Sequence, residues 1–553
     1  MTTINSTTDP SILTEPSTAI VRKYNAPRRL IMIALLLGWL FDWAFYDKSV
    51  GLSVLLYAGA LVGALTYTGV AEDVRANRRS LWMLFSIAAF AIMAFVRANE
   101  FLTFLNVSAV LLLLMLYAYY FSAENILTQS IASYIIVPLK MMTMPWFSGF
   151  GVLSEARHVA NDENAQPQVP IMPIIRGLLI SLPILLIFTG LLISADIVFA
   201  QRLEAWFDAP NVSEILLRFI LIGWISWLAL GALAYSLTRG QSLLSAEQQA
   251  KVGIEAQEKP RFFALGFIES SIVLGMVNLL FGLFVSIQFA YLFGGLDNIK
   301  LDGFTFAEYA RKGFFELVVV AMLVLVMLLV FKSITQTATP KQIRIFKGLN
   351  ILMIGLVLVM LVSAFRRLSL YEWTYGFSEL RLYAHVFIVW LGITLLWFVL
   401  TLWRDSERFA IGLFIAALGF VMTLNVINPD AFIVRQNWER FQLMEPFLDE
   451  EAATNTDSAR VIRGVAVETA RRNPNLILDV YYLRNLSNDA VPELIKIHNH
   501  ANSSSQTAIQ TDLITRGKWL VSWQAEQPWQ AYHWGHNRAL RLLSAEFDLA
   551  IFE

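Results

Sequence analysis

Apolar runs long enough to cross a bilayer recur along most of the chain, divided by short polar breaks. A hydrocarbon core of roughly 30 Å takes about 20 residues of helix. Runs of that kind are centred on residues 30–46, 50–70, 81–97, 100–121, 171–193, 213–237, 262–293, 313–331, 348–366, 382–403 and 408–427. The stretch from Ile131 to Leu153 is also apolar, but Pro138, Lys140 and Pro145 interrupt it, and it is assigned to the membrane interface. The pattern predicts an all-α fold: a polytopic transmembrane helix bundle of about eleven spans over residues 30–427.

Loop charge orients the bundle, because lysine and arginine accumulate in loops that stay cytoplasmic. With the N-terminus inside, the inner ends collect twenty of these residues and the outer ends ten. Letting Ile131 to Leu153 cross would move the rich loops Arg239–Arg261 and Lys332–Lys347 outside, so that crossing is rejected. An odd number of spans then puts residues 428–553 on the extracytoplasmic side. That segment turns polar, with helical spacing in NWERFQLMEPF and VPELIKI, and reads as a small soluble helical domain. In SNDAVPEL, Ser487 or Asn488 caps a helix with proline and Glu493 in its first turns. Residues 1–29 are rich in Ser, Thr and Pro near their start, and read as a disordered cytoplasmic tail rather than a secretory signal.

Composition narrows the chemistry. Of 553 residues 57% are hydrophobic and 15% charged, and the formal net charge of −1 gives no basic field for nucleic acid. Mean hydropathy is +0.57. There is no cysteine, which removes disulfides, thiolate metal sites and cysteine nucleophiles. No GxxxxGK[ST], HExxH or GxSxG occurs, and no cofactor is expected. The histidine doublets His498/His500 and His533/His536 lie about 30 residues apart and do not by themselves make a zinc site, which needs three or four converging ligands.

The polar residues that remain gather at span ends. SADIVFAQR carries Asp196 and Arg202, and FAEYARKGFFEL carries Glu308, Arg311, Lys312 and Glu316. LYEWTYGFSELRLYAH carries Glu372, Glu379, Arg381 and His385, and NPDAFIVRQNWERF carries Asp430, Arg435 and Arg440. By loop charge all four fall at the outer face. A charge at the centre of a membrane helix costs roughly 2.5–3.5 kcal/mol on insertion scales, so these groups should face protein, water or one another. They are candidates for a functional cleft, and the plainer alternative is interfacial anchoring and snorkelling. Glu316 and Arg381 are the expected partners across it, with Lys312, four residues before Glu316 on the same helix, as the alternative partner of that acid. Glu269 in GFIESSIVLG, about two turns beyond Arg261, is expected some 12 Å inside the cytoplasmic half as an ion or proton site, or else hydrogen-bonded to a neighbouring helix.

FAEYARKGFFEL, YEWTYGFSELRLYAHVFIVWL, SADIVFAQRLEAWF, NPDAFIVRQNWERF and LDVYYLRNLSNDAVPEL together resemble the bacterial polytopic membrane proteins of domain of unknown function 4173 and its close relative 4153. The resemblance spans roughly residues 30–500. It implies a multi-pass protein of the bacterial inner membrane and brings no established activity. The chain departs from the family between Phe441 and Leu478, where a tighter link is expected.

Three function classes stay open. One is a transport, channel or sensory module whose outer cleft binds a lipid head group or small solute. A second is a membrane-embedded enzyme acting on a lipid-linked or envelope-polymer substrate, with Glu316, Glu379 or Asp430 as acid or base. The third is an envelope-assembly factor whose terminal domain docks an envelope protein.

Overall fold

A computed structural model describes residues 24–74, 76–122, 126–163, 181, 185, 188–189, 191–196, 198–199, 201, 212–250, 265–293, 313–404, 408–444, 478–500 and 503–548. Among them the regular structure is helical, apart from one isolated bridge between Leu265 and Thr335. Among the described residues nine helices are long and apolar enough to cross a membrane, or ten if one bent pair is a single span. The protein is a multi-pass membrane protein. Those nine coincide with nine of the expected runs. A tenth run is the helix Pro27–Phe45 (α1), and the run at 171–193 lies mostly outside the described residues.

The first half of the bundle is built from α1, Leu52–Ala71 (α2), Trp82–Val96 (α3) and Glu100–Tyr119 (α4), then the pair Ile131–Thr143 (α5) and Pro145–Glu163 (α6), and the long helix Val212–Ala250 (α7). The second half contains Phe267–Phe293 (α8), Phe314–Ile334 (α9), Pro340–Tyr375 (α10), Glu379–Trp403 (α11) and Phe409–Ile427 (α12). Each half has its own apolar core, the first around Phe90, Leu113 and Tyr117 and the second around Met353, Val357 and Phe398. With so many lipid-facing residues, packing alone gives little specificity between helices, and polar pairs fix them. Asn106 of α4 and Asn425 of α12 exchange amide hydrogen bonds of 2.8 and 2.7 Å, both fully buried. Asp42 of α1 receives Arg218 of α7 through Nη2 at 2.7 Å and Nε at 3.1 Å.

The apolar stretch from Ile131 enters the bundle as two helices, α5 and α6, with a 49° bend between them. Tyr134 near its start donates to Ile126 O at 2.7 Å and stacks on Phe414 of α12. At the bend Pro145 lies so close to Gly231 of α7 that a Cβ there would meet its carbonyl oxygen at 1.9 Å. Beyond the bend Phe150 packs on Trp227, and the charge of Glu155 acts on Tyr24, whose hydroxyl pairs with Thr238. Gly231 stands about 10 Å along α7 from Thr238, so the bend lies inside the bundle. Taken as one unit the pair is a broken span or a re-entrant segment, and as a span it would be the tenth.

The C-terminal helices are Pro429–Met444 (α13), Val480–Arg484 (α14), Val491–His498 (α15), Ser503–Glu526 (α16) and Trp534–Glu546 (α17). Leu494, Ile497, Ile509, Leu513 and Leu543 join one apolar cluster with Leu102, Leu382, Val386 and Leu424 from the bundle. Residues 478–548 thus share their core with one end of the bundle and form a cap on it.

Two outcomes check this architecture. Cysteines introduced at the exposed Ser130 and Ser154, in a chain that has none of its own, should both react with a membrane-impermeant maleimide from the same side. Asn106→Leu alone should cost about 1–2 kcal/mol in thermal unfolding, and the double variant Asn106→Leu/Asn425→Leu should recover much of it, because no amide is then left unpaired.

Candidate functional site

The capped end carries two polar constellations, both arranged around the turn between α10 and α11. Gly376 makes that turn with φ of +83°, a conformation other residues rarely adopt, and Asn437 of α13 clasps the next residue by accepting from Phe377 N at 2.8 Å and donating to Phe377 O at 3.0 Å. Arg440, one turn further along α13, donates to Trp373 O at 2.6 Å. Its burial beside Arg381 pushes its guanidinium down to about 10.

The first constellation holds the cap. Asn99 caps α4 by accepting from Leu102 N, and its amide donates to Glu379 at 2.8 Å and to Asp430 at 3.1 Å. Asp430, wholly buried, also accepts from the backbone N–H of Ser487 at 3.1 Å and from the Ser487 hydroxyl. Glu379 accepts from the Tyr383 hydroxyl, and its own N–H donates to the Tyr482 hydroxyl oxygen at 3.0 Å. Asp489 accepts from Ala98 N at 2.9 Å, and His533 donates through Nε2 to Arg97 O at 3.1 Å. Burial raises the Asp489 carboxyl to about 6 against the opposing pull of Arg97. Burial lowers His533 to about 3, with His536 beside it adding to the effect, and lowers His536 to about 4.

The second constellation is a line of three side chains. Glu372 Oε1 lies 3.2 Å from His385 Nδ1, and His385 Nε2 lies 3.1 Å from Ser369 Oγ. Glu372 and His385 are buried, with 3% and 9% exposure. The Ser369 hydroxyl also reaches Phe365 O at 3.0 Å, the helical back-bond common for serine. All three residues line a cavity of about 430 Å³ whose other walls are apolar except for Thr423, among them Phe365, Trp373, Val389, Trp390 and Phe432. Val389 and Phe365 are partly open to the lipid-facing surface at 49% and 38% exposure, so the cavity is a side groove of the bundle.

The expected cleft therefore divides. Glu372, Glu379, His385 and Asp430 converge near the α10–α11 turn, while Arg381 turns to Gly376 O and the face of Tyr371, 4.3 Å from the ring centre. Glu316 is exposed in the first turn of α9, and no ion pair joins it to Arg381 among the described contacts, against the expected partnership. Asp196 is exposed and caps a local turn through Val198 N. Arg202, Glu308, Arg311 and Lys312 lie outside the described residues. Glu269 is shallower than expected. Leu265 is held extended by Ile334 O and Gln336 N, so α8 starts only at Phe267, and Glu269 accepts from Gly266 N at an exposed helix start. Sequence reasoning passed over Asn99, Ser369 and Asp489. Asn99 carried a usable signal, a cap residue followed directly by an acid at the mouth of an apolar run.

A family model described as Domain of unknown function (DUF4153) matches residues 84–497. The chain belongs to this family. The motif resemblance had put domain 4173 first and 4153 as its relative, and the match is to the latter. The DUF4153 region takes in Asn99, Ser369, Glu372, Glu379, His385, Asp430 and Asp489, and stops before His533. No curated protein and no solved structure matches the chain.

The cap's attachment should respond to pH with a predictable sign. His533 and His536 stay neutral when folded and protonate when unfolded, so their contribution is full above about 6.5 and is lost as pH falls towards 4 and 3. Asp489 opposes this, since its raised carboxyl favours the folded state as pH falls from about 6 to 3.8. Asp489→Asn should therefore make the loss of thermal stability between pH 6 and 4 steeper than in the unaltered protein.

Proposed function

We propose that this protein is a ligand-binding module of the bacterial inner membrane, with the capped end extracytoplasmic, that takes the apolar part of a lipid-like molecule into the side groove and reads its polar part with Glu372, His385 and Ser369. The observation that carries this reading is the juxtaposition of a buried polar line with an apolar groove that opens sideways to lipid. Ligand sites are typically largely apolar clefts of some 300–1,000 Å³ with a few placed polar groups, and this groove has that make-up. A bilayer delivers such a molecule laterally, so no aqueous entry is needed. The carboxylates Glu379 and Asp430 serve a different end in this reading: both accept from Asn99, Asp430 also accepts from Ser487 of the cap, and the Glu379 N–H donates to Tyr482, which together fix the α10–α11 turn that positions His385. A sensory or transport role follows if ligand occupancy alters how the cap sits, because Val386 and Leu382 of α11 pack in the cap's core while lining the groove.

Purification in polymer-bounded native nanodiscs, followed by lipid mass spectrometry, tests the reading. At least one amphipathic species should be enriched several-fold over the bulk membrane, and Val389→Trp, which fills the groove from its open side, should abolish the enrichment without lowering thermal stability. A lipid profile identical to the bulk in both proteins contradicts it.

A further inference from the structure

The order of atoms in the polar line has a chemical meaning that binding alone does not use. A carboxylate on Nδ1 and a serine hydroxyl on Nε2 of one imidazole is the arrangement in which histidine takes the serine proton while the carboxylate holds the ring and stabilises its positive form. Here the contacts are 3.2 Å and 3.1 Å, within or just at the reach of proton transfer, and they join residues from two helices across a tight turn. Glu372 satisfies only Nδ1, and the acceptor Nε2 of a buried neutral ring could take any donor, a backbone N–H or a water included. His385 is instead oriented further, its ring edge-on to Phe365 with centroids 4.4 Å apart, so that Nε2 meets the one hydroxyl on the groove wall of α10.

We propose that Ser369 is a nucleophile, His385 its general base and acid, and Glu372 the positioning residue, for acyl transfer from a long-chain ester held in the groove. This rests on the ligand-binding reading above and names the substrate class. The Ser369 hydroxyl rotates from Phe365 O towards His385 Nε2, and Oγ attacks the ester carbonyl carbon as its proton passes to Nε2. Nδ1–H remains hydrogen-bonded to Glu372. The tetrahedral adduct collapses with cleavage of the carbonyl carbon to alcohol oxygen bond, and the Nε2 proton goes to the departing alkoxide. The product is an alcohol and an acyl ester on Ser369. Water or a second alcohol then adds to that ester, giving its proton to Nε2, and cleavage of the Ser369 ester returns the proton to Oγ. The apolar walls fit the acyl chain. The exposed flank at Val389 leaves the groove open at its side, so the alcohol part need not be enclosed.

The test uses the full chain in nanodiscs with an alkyl fluorophosphonate, which phosphonylates a serine only when a base activates it. The expected result is one adduct per chain, mapped by peptide mass spectrometry to Ser369 and absent from Ser369→Ala. His385→Gln should slow labelling on the order of a hundredfold. Glu372→Gln should lower the maximal labelling rate while leaving the half-saturating probe concentration unchanged, and Glu372→Asp should restore part of the rate, which a purely structural acid would not do. Mapping the adduct in the unaltered protein keeps the test valid if a variant fails to fold. No adduct on Ser369, or a labelling rate indifferent to His385→Gln, overturns the acyl-transfer proposal. If lipid enrichment persists in that case, the ligand-binding reading stands without it; if enrichment is also absent, both fall.

Discussion

Asp430 has no access to water, so its carboxylate must find its donors within the protein, and it finds them on stretches far apart in sequence: Asn99 at the start of α4 and both the backbone and the hydroxyl of Ser487 in the cap. A buried carboxylate without donors is costly enough that the fold is constrained to supply all of them together. Because Asn99 also donates to Glu379, the same network fixes the first residue of α11. The position of His385, six residues further along that helix, follows from it.

That constraint explains why the capped end is polar without being a single cleft. One set of acids is consumed in joining the cap to the bundle, and the other set, Glu372 with His385 and Ser369, faces the groove. The two are separated by the Gly376 turn, which Asn437 and Arg440 hold from α13. The opposite half of the molecule has a different character. A second apolar cavity of about 450 Å³ lies there between α2, α4, α7 and the bend of α5 and α6, lined by Leu65, Leu114, Trp146 and Trp224. It lacks the charged line of the side groove.

The spans were legible because a run of some 20 apolar residues fits a bilayer crossing and little else, and loop charge groups the ends of those spans by side. Gathering of the acidic residues at one set of ends was legible for the same reason. Partner choice was not. It depends on how each helix is rotated, and membrane helices that are apolar on every side carry no periodic signal of rotation. Arg381 illustrates this, since its sequence neighbourhood suits Glu316 equally well, yet the guanidinium finds a carbonyl five residues back in its own turn. Glu269 illustrates a second blind spot: an apolar run marks where a membrane segment lies, but the two hydrogen bonds that hold Leu265 extended decide where its helix begins. The prolines of α5 and α6 read as interruptions, and Pro145 is where the pair bends, against a Gly231 small enough to receive it.

Hydrogen exchange in nanodiscs measures the central claim most directly, by comparing the unaltered protein with Asp430→Ala. Loss of the carboxylate leaves the Ser487 N–H and the Asn99 amide short of an acceptor, at a cost of roughly 2 kcal/mol, about thirtyfold in local opening. The account predicts that amides of residues 480–498 and of the first turn of α11 exchange faster by about that factor, while those of α7 and α9 keep their protection. Unchanged exchange in residues 480–498 would contradict it.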